Sequence, residues 1–381
     1  MPTIRKRIWK TPSGATRTAW QTTYSDKAGK RHWRQFRSQA EAREWVENTN
    51  LRDLKARSDL TIADMARAWV ARAKSQCLER VTIRQYRQMA ETYIIPALGH
   101  VKLIDLSLEM VIEERDKLNR SRSESIGRHF VKFVKAIMTY AEDAGHIRYN
   151  VVARLRTTIP GRVRLMKRPV IPSQLEVDHL LVAINAAPAT NRSGRWWTAT
   201  HRRGPLFNTL METGALPSEI RALAWGAIDW SRRKIEIRQR ADRWNTIGPC
   251  KSAAAYRKIP ISIDLCQALL TWEEVCPSSS ANLVFPTTFG GVISSTSLYR
   301  EFRRIQVAAG LTEPRQGDGP TKSYKGKYPV YTLRHLRASI WIAERINLKR
   351  LQTYMGHSSI KITFDTYGHL IAEAEEDAPA T

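Results

Sequence analysis

The spacing of apolar residues changes along this chain of 381 residues, and the change requires several folding units. Alternating or β-rich patterns, separated by turn residues, occupy residues 4–10, 16–24 and 30–36. Ser38 and Glu41 then have the spacing of a helix capping box. Residues 1–52 are therefore predicted to form a three-stranded antiparallel sheet followed by a helix, with Trp20 and Trp33 favoured as its small core.

The rest of the chain is predominantly helical in its pattern. Helices are predicted from Thr61, from near Thr82 to Pro96, over Leu108–Leu118 and over Ser123–Gly145, as a compact bundle spanning residues 60–155. Residues 156–172 are basic and without a sustained period, which indicates a linker. Residues 173–381 are predicted to be mostly helical with a small antiparallel sheet, interrupted by an insertion-like loop at 187–204. The predicted fold class is mainly α with small antiparallel β-sheets, in several domains.

The charge of the chain favours a polyanionic partner. Lys and Arg total 62 against 36 Asp and Glu, which gives a net charge of +26 and a pI near 10.3. Such a field makes nucleic acid the leading partner and makes binding salt-dependent. An anionic membrane is the alternative, but the charge is spread over the whole chain instead of lying on one amphipathic helix.

The absence of certain sequence features predicts the location of the protein and its lack of a metal cofactor. No apolar run approaches the ~18 residues of a membrane span, and the N-terminus lacks the apolar region of a signal peptide, which favours a bacterial cytoplasm. The four cysteines show no paired ligand spacing. Neither a disulfide framework nor a metal site is therefore expected.

The stretch 354–370 has a pattern suited to holding a phosphodiester. A helix is predicted to end at Gly356, His357 follows, and a new helix starts at Ser358 or Ser359 and ends near Tyr367. Upstream, Arg334 and His335 are predicted at the start of an apolar helix, where backbone amides favour an anion.

These residues resemble the C-terminal signature of tyrosine recombinases of the phage integrase family. That signature runs His-x-x-Arg, then Leu-Gly-His-Ser-Ser, then the nucleophilic Tyr, and here Met355 replaces the Leu. The resemblance implies site-specific cutting and rejoining of double-stranded DNA through a 3′-phosphotyrosine, without cofactor, in a DNA-bound tetramer. It implies integration or excision of a phage or another mobile element, and it leaves open whether a host bending protein and a directionality factor are further partners.

The resemblance also assigns roles to residues. Tyr367 would attack the phosphate while Arg334 and His357 hold its oxygens. Lys251 lies in a segment that resembles the family's Lys-Ser-x-x-x-x-Arg-x-Val-Pro, and would protonate the 5′ oxygen as the general acid. Glu219 and His335 would be supporting residues.

Two positions depart from the family pattern. Leu216 stands where the first clamp arginine belongs, and a leucine side chain donates no hydrogen bond. The loss of such a donor costs ~3 kcal/mol or more in the transition state, so weak or absent cleavage is expected from a natural or engineered change. Arg221 lies too far along the helix to replace it. Tyr331 stands where the pattern has His, a milder change.

DNA-binding residues are predicted outside the catalytic domain as well. The N-terminal module resembles arm-site binding modules, with Trp20 and Arg34 as candidates. The helical bundle resembles the core-binding domain of the family, and its candidate phosphate contacts are Arg84, Arg87, Arg128, Lys132 and Lys135.

Three other functions stay open. A non-catalytic DNA-binding factor on this scaffold would fit Leu216. A transposon or resolvase-type recombinase would use the same chemistry, although chromosome-dimer resolvases usually begin at the helical domain. A type IB topoisomerase would relax supercoils without site preference.

Overall fold

A computed structural model describes residues 3–10, 16–25, 31–45, 59–157, 168–186, 195–314 and 324–376. The chain divides into two compact units, residues 1–164 and 165–381. Small antiparallel sheets accompany a predominance of helix, as predicted. Among the described residues no helix is long and apolar enough to cross a membrane.

The first unit begins with the predicted antiparallel sheet. Its strands are β1 (Thr3–Lys10), β2 (Thr16–Ser25) and β3 (Arg31–Phe36), in the order β1-β2-β3, and helix α1 covers residues 39–45. The Glu41 amide donates to Ser38 Oγ at 3.1 Å, which confirms the predicted start of the helix. Ala42 and Thr22 are fully buried and make the interior of the module.

The alternation of the strands corrects the prediction for Trp33. Trp20, Thr22 and Arg34 share the face that carries α1, and the Arg34 guanidinium lies 5.6 Å from the Trp45 ring centre. Trp33 is one residue out of phase and 63% exposed on the other face. Trp33 is therefore not a core residue.

The helical part of the first unit has an interior formed by the apolar faces of its helices. These are α2 (Ile62–Ser75), α3 (Arg80–Met89), a π-helical turn (Ala90–Ile94), α4 (Ile95–Leu98), α5 (Leu108–Ser121) and α6 (Glu124–Asp143). Ile94 and Phe130 are completely buried. The wide π-turn immediately precedes Pro96, whose ring would clash with a carbonyl in a regular α-helix.

In its described residues, the second unit combines helices with three short antiparallel sheets. The helices are α7 (Gln174–Asn185), α8 (Arg195–Thr213), α9 (Pro217–Ile220), α10 (Ile263–Val275), α11 (Ser295–Ala308), α12 (Thr332–Ala343), α13 (Leu348–Met355) and α14 (Ile360–Glu376). The strands are β4 (Ile228–Asp229), β5 (Lys234–Ile237), β6 (Gln239–Ala241), β7 (Ile247–Pro249), β8 (Arg257–Pro260), β9 (Thr312–Pro314) and β10 (Tyr324–Gly326). They form the sheets β4-β5-β8, β6-β7 and β9-β10.

Two details of this unit differ from or lie beyond the sequence predictions. Residues 195–204, predicted as part of a loop, begin helix α8, because Pro205 is accommodated inside the helix instead of ending it. Residues 187–194 of the same prediction lie outside the described residues, as do 158–167 of the predicted linker. The sheet β4-β5-β8 and the separate hairpin β6-β7 lie in the domain for which a small antiparallel sheet was predicted.

Candidate active site

Tyr367 lies inside helix α14 and is buried. Its side chain is 1% exposed, and its Oη lies 2.9 Å from Nδ1 of His335. The sequence placed Tyr367 at a helix end because Gly368 follows it, but α14 continues to Glu376. A glycine inside a helix costs only about 1 kcal/mol, and burial of Ile371 on the next turn outweighs it.

The left-handed turn at Gly356 delivers His357 to the same place. Gly356 has φ +68°, and a side chain there would come within 3.1 Å of the Arg257 guanidinium. The His357 Nδ1 lies 3.0 Å from Thr363 Oγ1, and its ring is nearly parallel to the Tyr367 ring at 6.4 Å. Burial, followed by the positive charge of Arg334, lowers the pKa of His357 to about 4. The imidazole is therefore neutral at pH 7.

Arg334 connects the loops on either side of the site. It is 4% exposed near the start of α12; its Nη1 donates to Gly214 O at 2.8 Å, and its Nη2 donates to Met355 O. Its Nε is buried without a hydrogen-bond partner among the described atoms. Burial lowers the pKa of the guanidinium, which nevertheless stays a cation at neutral pH because its ordinary value is 12.5. Tyr331, at the helix start, is 42% exposed.

A buried ion pair fixes the loop that contains Leu216. Arg257 Nη1 and Nη2 lie 2.9 and 2.7 Å from the two carboxylate oxygens of Glu219, and both side chains are nearly inaccessible. Arg257 Nε also donates to Tyr354 O at 2.7 Å, at the end of α13. Arg257 thus joins β8, α9 and α13, a positioning role that its place in the sequence motif did not disclose.

Leu216 occupies the start of α9 without disturbing the loop. Its amide donates to Glu219 Oε2 at 2.7 Å, and its side chain is half-buried. Arg221 points elsewhere, as the helical spacing predicts, because its Nε donates to Ile293 O at 2.6 Å and its Nη2 donates to Asp242 O and Asn245 Oδ1. The Arg221 guanidinium therefore binds the tip of the β6-β7 hairpin.

Lys251 stands on the connection between that hairpin and β8. Strand β5 pairs with β8 in antiparallel register, with Ile237 opposite Arg257. Between these two strands the chain forms the β6-β7 hairpin and then the loop that contains Lys251. The Lys251 side chain is exposed. An exposed lysine on a loop between strands can contact a ligand at the protein surface.

The predicted phosphate contacts of the first unit lie on two helices. Arg84 and Arg87 are exposed, one turn apart on α3, and Arg128, Lys132 and Lys135 follow one face of α6. Lys135 Nζ also donates to Leu155 O at 3.1 Å. In the N-terminal module, Trp20 and Arg34 lie on the helix-covered face, whereas Arg5, Arg7 and Trp33 lie on the open face.

The arrangement combines a hydroxyl, two neutral imidazoles and a buried guanidinium. His335 has its pKa lowered to about 4, first by burial and then by Arg334. Burial raises the pKa of the Tyr367 hydroxyl, which is therefore protonated at neutral pH. The site therefore contains a neutral imidazole that can accept a proton and a cation that can hold an oxyanion, the two groups that phosphoryl transfer to a tyrosine requires. Among the described residues no cluster of metal-ligating side chains is present.

Family models match both units. The model described as "Phage integrase family" matches residues 176–373, and "Phage integrase central domain" matches residues 62–158. A tyrosine recombinase XerC-like protein of Caldanaerobacter subterraneus subsp. tengcongensis is 22% identical over 351 residues, 85% of this chain and 83% of that protein. Tyrosine recombinase XerC of Chlamydia trachomatis is 23% identical over 193 residues, 51% and 53% of the two chains.

Solved structures of similar fold contain DNA. The Tn1549 transposon integrase in complex with a circular intermediate DNA aligns with TM-score 0.65 at 17% identity, over 84% of this chain and 100% of that one. A lambda integrase tetramer bound to a Holliday junction aligns with TM-score 0.57 at 18% identity, over 92% and 95%. These likenesses concern the fold.

Proposed function

This chain belongs to the phage integrase family, and from that membership we propose that it is a site-specific DNA recombinase that acts through a phosphotyrosine on Tyr367. The observation that carries the proposal is the convergence of Tyr367, His335, His357 and Arg334, contributed by three separate segments of one unit. A structural tyrosine would not require a buried cation and two imidazoles around it.

The proposed reaction needs no external energy. Tyr367 Oη attacks a backbone phosphorus, the bond to O5′ breaks, and the 3′ phosphate stays attached to the enzyme. Lys251 gives a proton to O5′, while Arg334 and His357 stabilise the charge on the non-bridging oxygens. Attack of a new 5′ hydroxyl reverses the steps and rejoins the DNA.

Leu216 should weaken this reaction. The loop around it keeps its geometry through Glu219 and Arg257, so the defect is one missing charge and not a collapsed site. Loss of one aligned donor reduces cleavage by roughly 10²–10³-fold. The same observation favours the second candidate, a DNA-binding factor that retains the fold without cleavage.

DNA is the proposed substrate and partner of both units. Basic residues on α3 and α6 would contact a core site, and Arg5, Arg7 and Trp33 on the open face of the N-terminal sheet would contact an arm site. A homotetramer on two recombining sites of a phage or another mobile element is the proposed assembly, with a bending protein and a directionality factor as accessory partners.

The test is covalent capture on a nicked DNA that releases the cleaved end. The chain is compared with Leu216→Arg, with Leu216→Met as the matched apolar control, and with Leu216→Arg combined with Tyr367→Phe. We expect Leu216→Arg to increase the denaturant-resistant adduct at least ~100-fold, Leu216→Met to leave it unchanged, and Tyr367→Phe to abolish it. Absence of any adduct from Leu216→Arg on DNA that it binds would establish the DNA-binding factor instead.

A further inference from the structure

His335 makes a direct contact with the atom that would attack the phosphate. Its Nδ1 lies 2.9 Å from Tyr367 Oη, and the two rings meet nearly edge to face at a centroid distance of 5.6 Å. Family resemblance assigns His335 only a supporting place, whereas the contact involves a reacting atom. This imidazole is therefore close enough to exchange a proton with the Tyr367 hydroxyl, in addition to packing against the ring.

Among the described residues, His335 is the hydrogen-bond partner that the structure gives to the Tyr367 hydroxyl. Arg334 has only N–H groups and accepts no hydrogen bond. The Nδ1 of His357 is engaged with Thr363, 3.0 Å away, and its ring lies nearly parallel to that of Tyr367 at 6.4 Å, without a hydrogen bond between these two described residues. His335 is neutral at pH 7, so one ring nitrogen carries a lone pair, and Nδ1 is the nitrogen that faces the hydroxyl.

The helix geometry explains how an imidazole comes to this position. Position 331, where the resemblance predicts His, holds a tyrosine, and a phenol does not accept a proton at neutral pH. His335 lies four residues further along α12 and therefore on the same face; its ring is 5.0 Å from that of Tyr331. The imidazole of His335 thus lies one helical turn after position 331, where the family pattern places a histidine.

We propose that His335 is a catalytic residue, the general base that removes the Tyr367 proton during attack on DNA; this rests on the proposed recombinase function. The Oη–P bond forms and the P–O5′ bond breaks, the phenol proton passes to His335 Nδ1, and Lys251 supplies a proton to O5′. Religation returns the proton from His335 to Tyr367, so no proton is consumed over the cycle.

The surroundings of His335 set its basicity. The titratable and charged groups that face it are Arg334 and Tyr331 on its own helix, Tyr367 on α14, and His357 before α14. Arg334 opposes protonation in the absence of DNA. A bound phosphate brings negative charge to Arg334 and offsets that opposition, so the imidazole becomes a stronger base when substrate is present.

The first experiment separates removal of the tyrosine proton from protonation of the leaving group. Cleavage is measured in the Leu216→Arg chain on a phosphodiester and on a DNA with sulfur in place of O5′, a leaving group that needs no acid. We expect His335→Asn, which keeps a polar atom near the Nδ1 position but takes up no proton, to be slower by ~100-fold or more on both substrates. Lys251→Ala should be slow on the phosphodiester and recover on the sulfur substrate.

The pH dependence and chemical rescue give a readout that a packing role would not move. His335→Asn should cleave ~10-fold faster per unit rise in pH between 7 and 9, as hydroxide replaces the missing base, whereas the parent rate stays flat. His335→Ala leaves space beside Tyr367, and added imidazole should restore its cleavage. His369→Asn, on the same helix as the tyrosine, is the control and should behave as the parent. Parent-like cleavage by both His335 variants, or slow cleavage with a flat pH profile and no rescue, would overturn the proposal.

A measurement without DNA separates this proposal from the proposed function. In the unaltered chain with ¹⁵N-labelled histidine, His335 should be neutral, protonated on Nε2 and unprotonated on Nδ1, and Tyr367→Phe should shift its Nδ1 resonance. If no variant forms an adduct but this signature is present, the recombinase function fails while the hydrogen bond stands. If adducts form and Nδ1 carries the proton in the resting protein, His335 is not the base.

Discussion

Replacement of Glu219 by Gln should show how strongly the site depends on one buried charge pair. Glu219 accepts two hydrogen bonds from Arg257, at 2.9 and 2.7 Å, and a third from the Leu216 amide. Gln keeps the shape but removes the charge and turns one acceptor into a donor that faces the guanidinium. An uncompensated buried cation costs about 3–5 kcal/mol, so the free energy of unfolding should fall by that amount.

The matched control is an ion pair with the same length and different burial. Arg238 Nη2 lies 2.7 Å from Glu236 Oε2, but these side chains are 56% and 30% exposed, against 1% and 3% for Arg257 and Glu219. An exposed pair contributes only about 0–1 kcal/mol because water competes for both charges. Glu236→Gln should therefore change stability by less than about 1 kcal/mol.

Pulsed alkylation of Cys266 along a urea gradient measures this effect in the full chain. Cys266 is a buried thiol in the same unit as Glu219, so it becomes reactive when that unit unfolds. Mass spectrometry of the labelled peptide gives the midpoint for each variant. Equal shifts for Glu219→Gln and Glu236→Gln would refute the argument that burial, and not distance, sets the strength of the pair.

Two further changes test other contacts. Arg221→Ala removes the donors that hold the β6-β7 hairpin, and the Lys251 loop follows that hairpin. In the Leu216→Arg chain this change should slow cleavage of a phosphodiester ~10-fold or more. It should have little effect on a substrate with a sulfur leaving group, which does not need Lys251. The Lys327 ammonium, 2.6 Å away, is the main reason that the pKa of Glu176 is lowered from 4.5 to about 2. Because the folded pKa is the lower one, this carboxylate stabilises the protein above about pH 5 and loses that effect as pH falls toward 2. Glu176→Gln should flatten that acid dependence in urea unfolding followed by circular dichroism, and an unchanged slope would contradict the assignment.

Local rules in the sequence predicted much of the fold. Helix α2 begins after Thr61, as predicted, and the side-chain and backbone hydrogen bonds of a capping box are present there and at Ser173. Gly356 ends its helix in the left-handed conformation that glycine favours. These features depend on a few neighbouring residues, and they bring His357 to the correct end of a helix.

The remaining features depend on contacts between distant segments. The partner of Glu219 lies 38 residues away, so no local pattern discloses it. Gly368 suggested a helix end, but packing of α14 overrides this weak local preference. Trp33 differs from Trp20 only in the phase of its strand relative to the covering helix, and a tryptophan fits either face. The position of His335 against Tyr367 likewise required the packing of α12 on α14.

Tyr367 is held inside a continuous helix and contacts His335 of its own chain. If the proposed recombinase keeps this arrangement on DNA, each subunit supplies the nucleophile for the phosphate that it holds. In an assembly of intact and defective copies, a defective copy would fail to cleave its own strand. The active sites of the neighbouring copies would stay complete. A mutation in this site would then inactivate the subunit that carries it, and not the interface between subunits.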